Sequence, residues 1–223
     1  MDYDWNFSIF EGYKSALLSG LWITLKLTIL SSIIGTLIGV PLSFLLRQKP
    51  FKYIAIPVND IFRAIPLLVL IYLFYYFPYQ QIFGTKPLSE YYCALLALTF
   101  TQAVFTADII RGAIDGVSNN SILAAKSLGF KQNQIWYYVM LPDIFRQVLP
   151  TLISFFIGNL KLSSLASVIA VPEILYVAKS AGSQSFRSLE AWILVCIIYI
   201  LLVLPFSYLA RKLENSKWLK RRS

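Results

Sequence analysis

Charged and hydroxyl side chains inside long apolar runs are the residues of this sequence that could do chemistry. Asp108, Arg111 and Asp115 are spaced so that one arginine can pair with either carboxylate on a single helix face. Near the end of a later apolar run, Lys161 is followed within three residues by Ser163 and Ser164. Such groups can form ion pairs, move protons or contact a charged solute.

Lys161 is predicted to lie about two-thirds of the way across an apolar span, where an unpaired charge costs several kcal/mol. One interpretation is that Lys161, Ser163 and Ser164 line a translocation path, with the ammonium opposing a solute carboxylate or an internal acid. The other is that Lys161 extends toward the outer lipid headgroups. Asp108, Arg111 and Asp115 are expected near the cytoplasmic interface, as a structural ion cluster or as a proton relay.

Further polar residues lie in two other apolar runs. Thr99, Gln102 and Thr106 share one stripe of a predicted helix, so they could line the same path or bond a neighbouring helix. Arg63 and Pro66 lie at the start of the uncharged part of another run. Arg63 is expected either to pair at the inner membrane end or to take part in gating, and both residues are candidates for the translocation path.

Composition excludes several classes of protein. The 223 residues are 57% hydrophobic and 14% charged, which indicates a polytopic all-α membrane protein rather than a soluble domain. Histidine is absent, so a histidine base or a histidine metal site cannot occur within the chain. Cys93 and Cys196 lie in apolar runs and predict neither a disulfide framework nor a zinc site, and no metal site is expected.

Five apolar runs are long enough to cross a membrane. The predicted spans cover about 27–46, 54–79, 91–107, 147–170 and 191–210. Pro57, Pro66 and Pro78 predict a broken or kinked second span, and Gly35 and Gly39 form a GxxxG pair that favours close helix packing. The resulting division is an N-terminal tail at 1–19, a transmembrane domain at 20–211 and a basic tail at 212–223.

Fifteen of the positive charges outside the spans are distributed unequally between the two sides. Eleven lie on one side, at Arg47, Lys49, Lys52, Lys126, Lys131, Arg211, Lys212, Lys217, Lys220, Arg221 and Arg222. Four lie on the other, at Lys14, Lys86, Lys179 and Arg187. The positive-inside rule therefore predicts an external N-terminus and a cytoplasmic C-terminus. Topology accounts for much of the net charge of +9, and no nucleic-acid partner is expected.

The predicted cytoplasmic segment at 119–142, called the 119–142 loop below, has a helix–break–helix pattern. Asn120 or Ser121 can cap a short helix, and Gly129 suits a left-handed C-terminal stop. A second helix is predicted from Asn133 and is expected to end before Pro142. The loop is either a docking surface for a partner or an amphipathic segment resting on lipid.

Within this loop, AAKSLGFKQNQIWYYVMLP resembles the EAA loop of ABC-transporter membrane permeases. The matching positions are Ala124, Ala125, Gly129, Val139, Leu141 and Pro142. Leu123 departs from the pattern, because it occupies the glutamate position. FRAIPLLVLIYLFYYF (62–77), ADIIRGAIDGV (107–117) and DIFRQVLPTLISFFIGNLKLSSLASVI (143–169) are similar to the polar amino-acid uptake permeases. Leu162 departs from that pattern, in which an acid or amide often follows the lysine.

The resemblance implies a type I, methionine-permease-like importer subunit with five transmembrane helices and cytoplasmic coupling helices in the bacterial inner membrane. It assigns contact with the ATPase to Ala124, Ala125, Gly129, Phe130, Leu141 and Pro142. The implied partners are an ABC ATPase dimer carrying ATP and Mg, an identical or paralogous permease, and an extracytoplasmic solute-binding protein. No cofactor is expected in this chain, and its sequence has no GxxxxGK[ST] phosphate loop.

The solute expected from the resemblance is a polar amino acid, with an opine-like or zwitterionic compound as the alternative. A gradient-driven carrier is the competing class, and it predicts coupling acids at mid-membrane and internal repeats. An intramembrane enzyme would require paired acids, a metal motif or an activated nucleophile. Neither set is visible in the sequence, so we expect a transport subunit rather than an enzyme.

Overall fold

The computed structural model describes the chain from residue 4 to residue 214, and every regular element in that part is helical. The α-helices are α1 (Lys14–Leu45), α2 (Lys52–Ala64), α3 (Leu67–Tyr76), α4 (Tyr79–Phe83), α5 (Glu90–Asp115), α6 (Asn119–Ser127), α7 (Gln132–Ile135), α8 (Leu141–Leu162), α9 (Ile174–Gln184) and α10 (Ser188–Glu214). Shorter 3₁₀ segments cover Ser8–Tyr13 and Ser163–Ile169, and a π-helical turn covers Trp136–Met140. The predicted basic tail beyond residue 214 and the first three residues lie outside the described part.

The predicted spans correspond to four long helical segments and one bent pair. The long segments are Phe10–Leu45, Glu90–Asp115, Gln132–Ile169 and Ser188–Lys212. The pair α2 and α3 is apolar enough to cross a membrane when its two helices are taken together. Counting that pair as one span gives five among the described residues, which confirms the five-span, all-helical prediction.

The break in the second span confirms the predicted proline effect. α2 and α3 meet at 92°, and the chain between them passes through Ile65 and Pro66. Ile65 has φ −75° and ψ 121°, an extended conformation of the kind favoured before a proline. Pro66 is extended as well and precedes the first turn of α3. The bend follows from local backbone restriction at this dipeptide.

The contact between α1 and α5 is the most extensive in the bundle, and two glycines allow it. A Cβ atom on Gly35 would lie 2.5 Å from Cβ of Gln102. A Cβ atom on Gly39 would lie 2.6 Å from Cβ of Thr106. Any larger residue at these positions would force the helices apart, so the predicted GxxxG packing is confirmed.

The start of the fourth span differs from the prediction. Pro142 does not end the preceding helix; it occupies the first turn of α8, which begins at Leu141. Proline is tolerated there because the first turn of a helix needs no intrahelical amide donor. The helical run therefore extends without interruption from Gln132 to Ile169 and is longer than the predicted span of 147–170.

The first span also begins earlier than predicted. The tail assigned to 1–19 is helical from Ser8, and α1 already starts at Lys14. At about 1.5 Å per residue, the 32 residues of α1 extend roughly 48 Å. That length is sufficient to reach past both faces of a hydrocarbon core of about 30 Å.

Candidate functional sites

The 119–142 loop forms a short helical hairpin, in which α6 ends at a left-handed glycine. Gly129 has φ +79°, its amide donates to the carbonyl of Lys126 at 2.9 Å, and the amide of Phe130 donates to the carbonyl of Ala125 at 3.1 Å. These two bonds form a Schellman motif and confirm the predicted stop at Gly129. The predicted cap is wrong: Ser118 occupies the N-cap position, because helical geometry already begins at Asn119.

One side of α6 packs on the bundle. Ala125 is buried, and Ile122 contacts the apolar cluster that includes Ile110, Ile114 and Ile144 on α5 and α8. α6 is therefore held against the ends of two membrane-spanning helices. A movement of α6 is therefore transmitted directly to α5 and α8.

The other side of the hairpin exposes apolar side chains. Leu123 is 58% exposed and Leu128 is 76% exposed, with Lys126 also exposed between them in sequence. Phe130, Leu141 and Ala124 are exposed as well. Among the six residues that the family resemblance assigns to this contact, Ala125 faces inward and Pro142 is half-buried.

Charged residues form a network close to this hairpin. The carboxylate of Asp108 accepts from Arg111 at 2.5 Å and pairs with Arg63 of α2 at 2.7 Å. Asp115 pairs with Arg47, just beyond the end of α1. Arg111 thus bonds Asp108 rather than Asp115, and each carboxylate joins α5 to a different neighbouring segment. Arg63, predicted for the path, lies in this network.

A second polar group lies between α1 and α5. The amide nitrogen of Gln102 donates to the hydroxyl of Thr106 at 3.2 Å and to that of Thr36 at 3.4 Å. Gln102 and Thr99 are both buried, and Gln102 also lines a cavity of about 550 Å³ with residues of α1, α8 and α10. Thr99, Gln102 and Thr106 therefore face the contact between α1 and α5, and Gln102 also lines a cavity.

Asn159 was missed by the sequence reasoning. Its side-chain amide donates to the hydroxyls of Ser31 at 2.9 Å and Ser32 at 3.0 Å, and all three residues are buried. The sequence feature that could have identified Asn159 is a side-chain amide inside an apolar run, where a hydrogen bond to another helix is expected. These bonds tie α8 to the middle of α1.

Lys161 lies in the last turn of α8, and the long helical segment that contains it continues to Ile169. With Ser164 and Tyr199 it lines a cavity of about 460 Å³ between α10 and the end of α8. The remaining walls are mostly aliphatic. Ser163 is buried, and its hydroxyl donates to the carbonyl of Leu160 at 2.8 Å, so it does not line this cavity.

Glu173 is a buried acid that the sequence reasoning did not single out. Its carboxylate caps α9 by accepting from the amides of Leu175 at 3.0 Å and Tyr176 at 2.8 Å. The hydroxyl of Thr24 on α1 donates to it at 3.4 Å. Burial raises the pKa of Glu173 from 4.5 to about 7, against the lowering effect of these hydrogen bonds. The residue lies between the fourth and fifth spans.

Comparison with known proteins gives chain-wide matches. The family described as "Binding-protein-dependent transport system inner membrane component" matches residues 27–218. The chain is 30% identical to the arginine transport system permease protein of Bacillus subtilis over 201 residues, covering 89% of this chain and 91% of that protein. It is 33% identical to the octopine transport system permease protein of Rhizobium radiobacter over 217 residues, covering 93% and 88%.

A solved structure extends the similarity to the fold. The crystal structure of an amino acid ABC transporter with histidines contains a chain that superposes with a TM-score of 0.86 at 31% identity. The match covers 96% of this chain and 99% of that one. A methionine ABC transporter in an inward-facing conformation has a TM-score of 0.70 at 20% identity, which supports the fold alone.

Proposed function

The chain belongs to the family of binding-protein-dependent transport system inner membrane components, and we propose that it translocates polar amino acids as the permease subunit of an ATP-driven ABC importer. The observation that carries this conclusion is the superposition of nearly the whole chain on a subunit of an amino acid ABC transporter. The arginine and octopine permeases agree, since octopine, like arginine, is a small polar solute with amino and carboxyl groups. The chain is a transport subunit rather than an enzyme.

The 119–142 loop is the proposed contact with the ATPase. Its exposed side presents Leu123, Leu128 and Phe130 to the surroundings, while its inner side packs on α5 and α8. Exposed apolar side chains on a rigid hairpin suit insertion into a groove of a partner. ATP and Mg are bound by the partner ATPase dimer, and this chain receives the movement.

The proposed cycle is a rigid-body switch. Closure of the ATPase dimer pushes the 119–142 loop, and α5 and α8 move with it because α6 packs on both. The network of Asp108 with Arg63 and Arg111 keeps α2 attached to α5 during this movement. A second permease, identical or paralogous, completes the path.

The charge distribution supports an orientation with the N-terminus outside and the C-terminus in the cytoplasm of the bacterial cell. The solute-binding protein then meets the end of the bundle formed by the N-terminal segment and the α9–α10 connection. The ATPase meets the 119–142 loop at the other end.

Within the membrane, Lys161 is the proposed contact for the solute carboxylate. Lys161 lines a cavity together with Ser164 and Tyr199, and the other walls are aliphatic. A cation with neighbouring hydroxyl donors is suited to a carboxylate, and the aliphatic walls are suited to the stem of a side chain. Gln102, which lines the second cavity of about 550 Å³, belongs to the same proposed path.

Affinity purification of the solubilised chain tests the proposal. We expect recovery of an ATPase subunit whose ATP hydrolysis rises when an amino-acid-loaded binding protein is added. Recovery of the chain without any ATPase, together with transport by the purified chain alone, would contradict it. A carrier driven by an ion gradient would give that second pattern.

A further inference from the structure

Phe186 lies at a position that neither packing nor backbone preference explains. It is in the three-residue connection between α9 and α10, and its φ is +55°. Side chains other than glycine rarely adopt this conformation, and a bulky residue there is strained. The side chain is nevertheless 94% exposed, so no intramolecular contact offsets the strain. A phenylalanine here costs the folded chain stability.

The connection that carries Phe186 is held firmly by hydrogen bonds and close packing. The amide of Arg187 donates to the carbonyl of Gly182 at 2.8 Å. A Cβ atom on Gly182 would lie 2.6 Å from Cβ of Ala191, so α9 and α10 approach closely on either side of the connection. The backbone that carries the aromatic ring is therefore held in place, which lowers the entropy lost when a partner binds there.

The N-terminal segment fastens the connection further. The guanidinium of Arg187 pairs with the buried carboxylate of Glu190 at 3.2 Å and donates to the backbone carbonyl of Asp4. The amide of Asn6 donates to the same Glu190 carboxylate at 3.4 Å. The ring of Phe186 thus protrudes from a compact junction of the N-terminal segment with α9 and α10.

This junction lies at the end of the bundle opposite the 119–142 loop. The N-terminal segment precedes α1, and Tyr13 donates to the side chain of Gln184 at 2.8 Å. The other end of α1 leads to Arg47, which pairs with Asp115 shortly before the 119–142 loop. With the ATPase at that loop, Phe186 faces the side from which the solute arrives.

We propose that Phe186 is a docking contact for the extracytoplasmic solute-binding protein, inserting its ring into an apolar pocket of that partner. The proposal rests on the proposed function, because it requires an importer that receives its solute from such a protein. An exposed aromatic side chain on an ordered connection is the residue type that most often forms an interface hot spot. Its neighbours in sequence, Ser183, Gln184, Ser185 and Ser188, are small or polar.

A membrane surface fits this connection less well than a protein partner. Segments that anchor to headgroups combine aromatic rings with lysines or arginines that reach the lipid phosphates. The only cation at residues 183–188 is Arg187, and its guanidinium is already engaged by Glu190 and Asp4. The remaining neighbours of Phe186 in the connection are uncharged.

The test uses the complete transporter in lipid nanodiscs, titrated with the amino-acid-loaded binding protein that stimulates the wild-type complex. Phe186→Asn removes the ring but keeps a residue that tolerates a left-handed backbone. We expect this variant to need about tenfold more binding protein for half-maximal stimulation of ATP hydrolysis. Phe186→Tyr and the control Ser183→Asn should stay near the wild-type concentration, and the basal ATPase rate should be unchanged in all three.

An unchanged half-maximal concentration for Phe186→Asn would overturn the docking role. A shift that appears in nanodiscs but disappears in detergent would also overturn it, because it would identify lipid as the partner. Failure of the proposed function has a different signature: the wild-type complex itself would show no stimulation by any loaded binding protein.

Discussion

Adding a single methyl group at Gly35 is expected to destabilise the bundle, because Gly35 lies where α1 and α5 touch. In Gly35→Ala the new Cβ would lie 2.5 Å from Cβ and 2.6 Å from Cγ of Gln102, and 2.7 Å from the carbonyl oxygen of Thr99. Real Cβ atoms do not approach other heavy atoms so closely. One of the close atoms belongs to the backbone of α5, so a change of side-chain rotamer cannot relieve the overlap.

The magnitude follows from two opposing effects. Alanine is a better helix former than glycine by about 0.5–1 kcal/mol, which favours the variant. Overpacking in a well-packed contact costs about 1–3 kcal/mol or more, and the backbone contact places Gly35→Ala at the upper end of this range. The net loss is therefore on the order of 2–2.5 kcal/mol. For a chain of this size, it corresponds to a lowering of the melting temperature by roughly 4–10 °C.

The assay is thermal unfolding of the purified complex in detergent, followed by intrinsic fluorescence or by loss of the monodisperse peak. Gly158→Ala in α8 is the matched control, because nothing lies within 4 Å of the position its Cβ would occupy. That control has the same propensity gain without the clash, so its melting temperature should stay level or rise. Equal melting temperatures for Gly35→Ala and Gly158→Ala would refute the α1–α5 packing described above.

Three further predictions concern function and pH. Leu128→Asp should lower recovery of the ATPase about tenfold, because a charge replaces an apolar side chain that is 76% exposed on the 119–142 loop. The control Asn119→Asp, at the other end of α6, should leave this recovery unchanged. Equal recovery of the ATPase with both variants would contradict docking through Leu128. Lys161→Met should impair uptake of the amino acid while the ATPase is still recovered, and normal uptake would remove Lys161 from the path. Since burial raises the pKa of Glu173 from 4.5 to about 7, the stability associated with its protonated form is complete below pH 4.5 and is lost as the pH rises through 7. Between these pH values the wild-type chain should lose stability on the order of 3 kcal/mol, and Glu173→Gln should remove this loss. A wild-type melting temperature that stays the same across this pH range would show that the pKa of Glu173 is not raised.

Local backbone chemistry explains the parts of the fold that the sequence predicted well. The bend at Pro66 and the left-handed stop at Gly129 each depend on the conformational limits of one or two residues. The packing at Gly35 follows from the absence of a side chain. The bend and the helix stop can be predicted from sequence because they do not depend on distant partners, and the GxxxG pair because its spacing is itself a local pattern.

Element boundaries and tertiary polar contacts were harder to predict from the sequence. Pro142 looked like the end of a helix, yet it starts α8, because a proline suits either side of a helix boundary. Asp115 was expected to be within reach of Arg111, but Arg47 is the partner, from a segment far away in sequence. Sequence alone does not show which of many distant residues the fold brings next to Asp115.

Two of the residues that were missed have environments that are built by several elements. Glu173 is buried only because α1 covers the start of α9. Tyr199 joins Lys161 at a cavity only because α10 packs beside α8. Phe186 is one apolar residue in a stretch of mixed composition. Its positive φ and its exposed side chain cannot be predicted from a sequence pattern.

Reconstituted transport tests the central claim most directly, namely that this chain forms the path of an importer that is driven through the 119–142 loop by a separate ATPase. Proteoliposomes would carry the chain with or without the co-purified ATPase, with loaded binding protein outside and ATP inside. The account predicts accumulation of the amino acid only when the chain, the ATPase, ATP and the binding protein are all present. Uptake by the chain alone under an ion gradient, without ATPase or ATP, would contradict it.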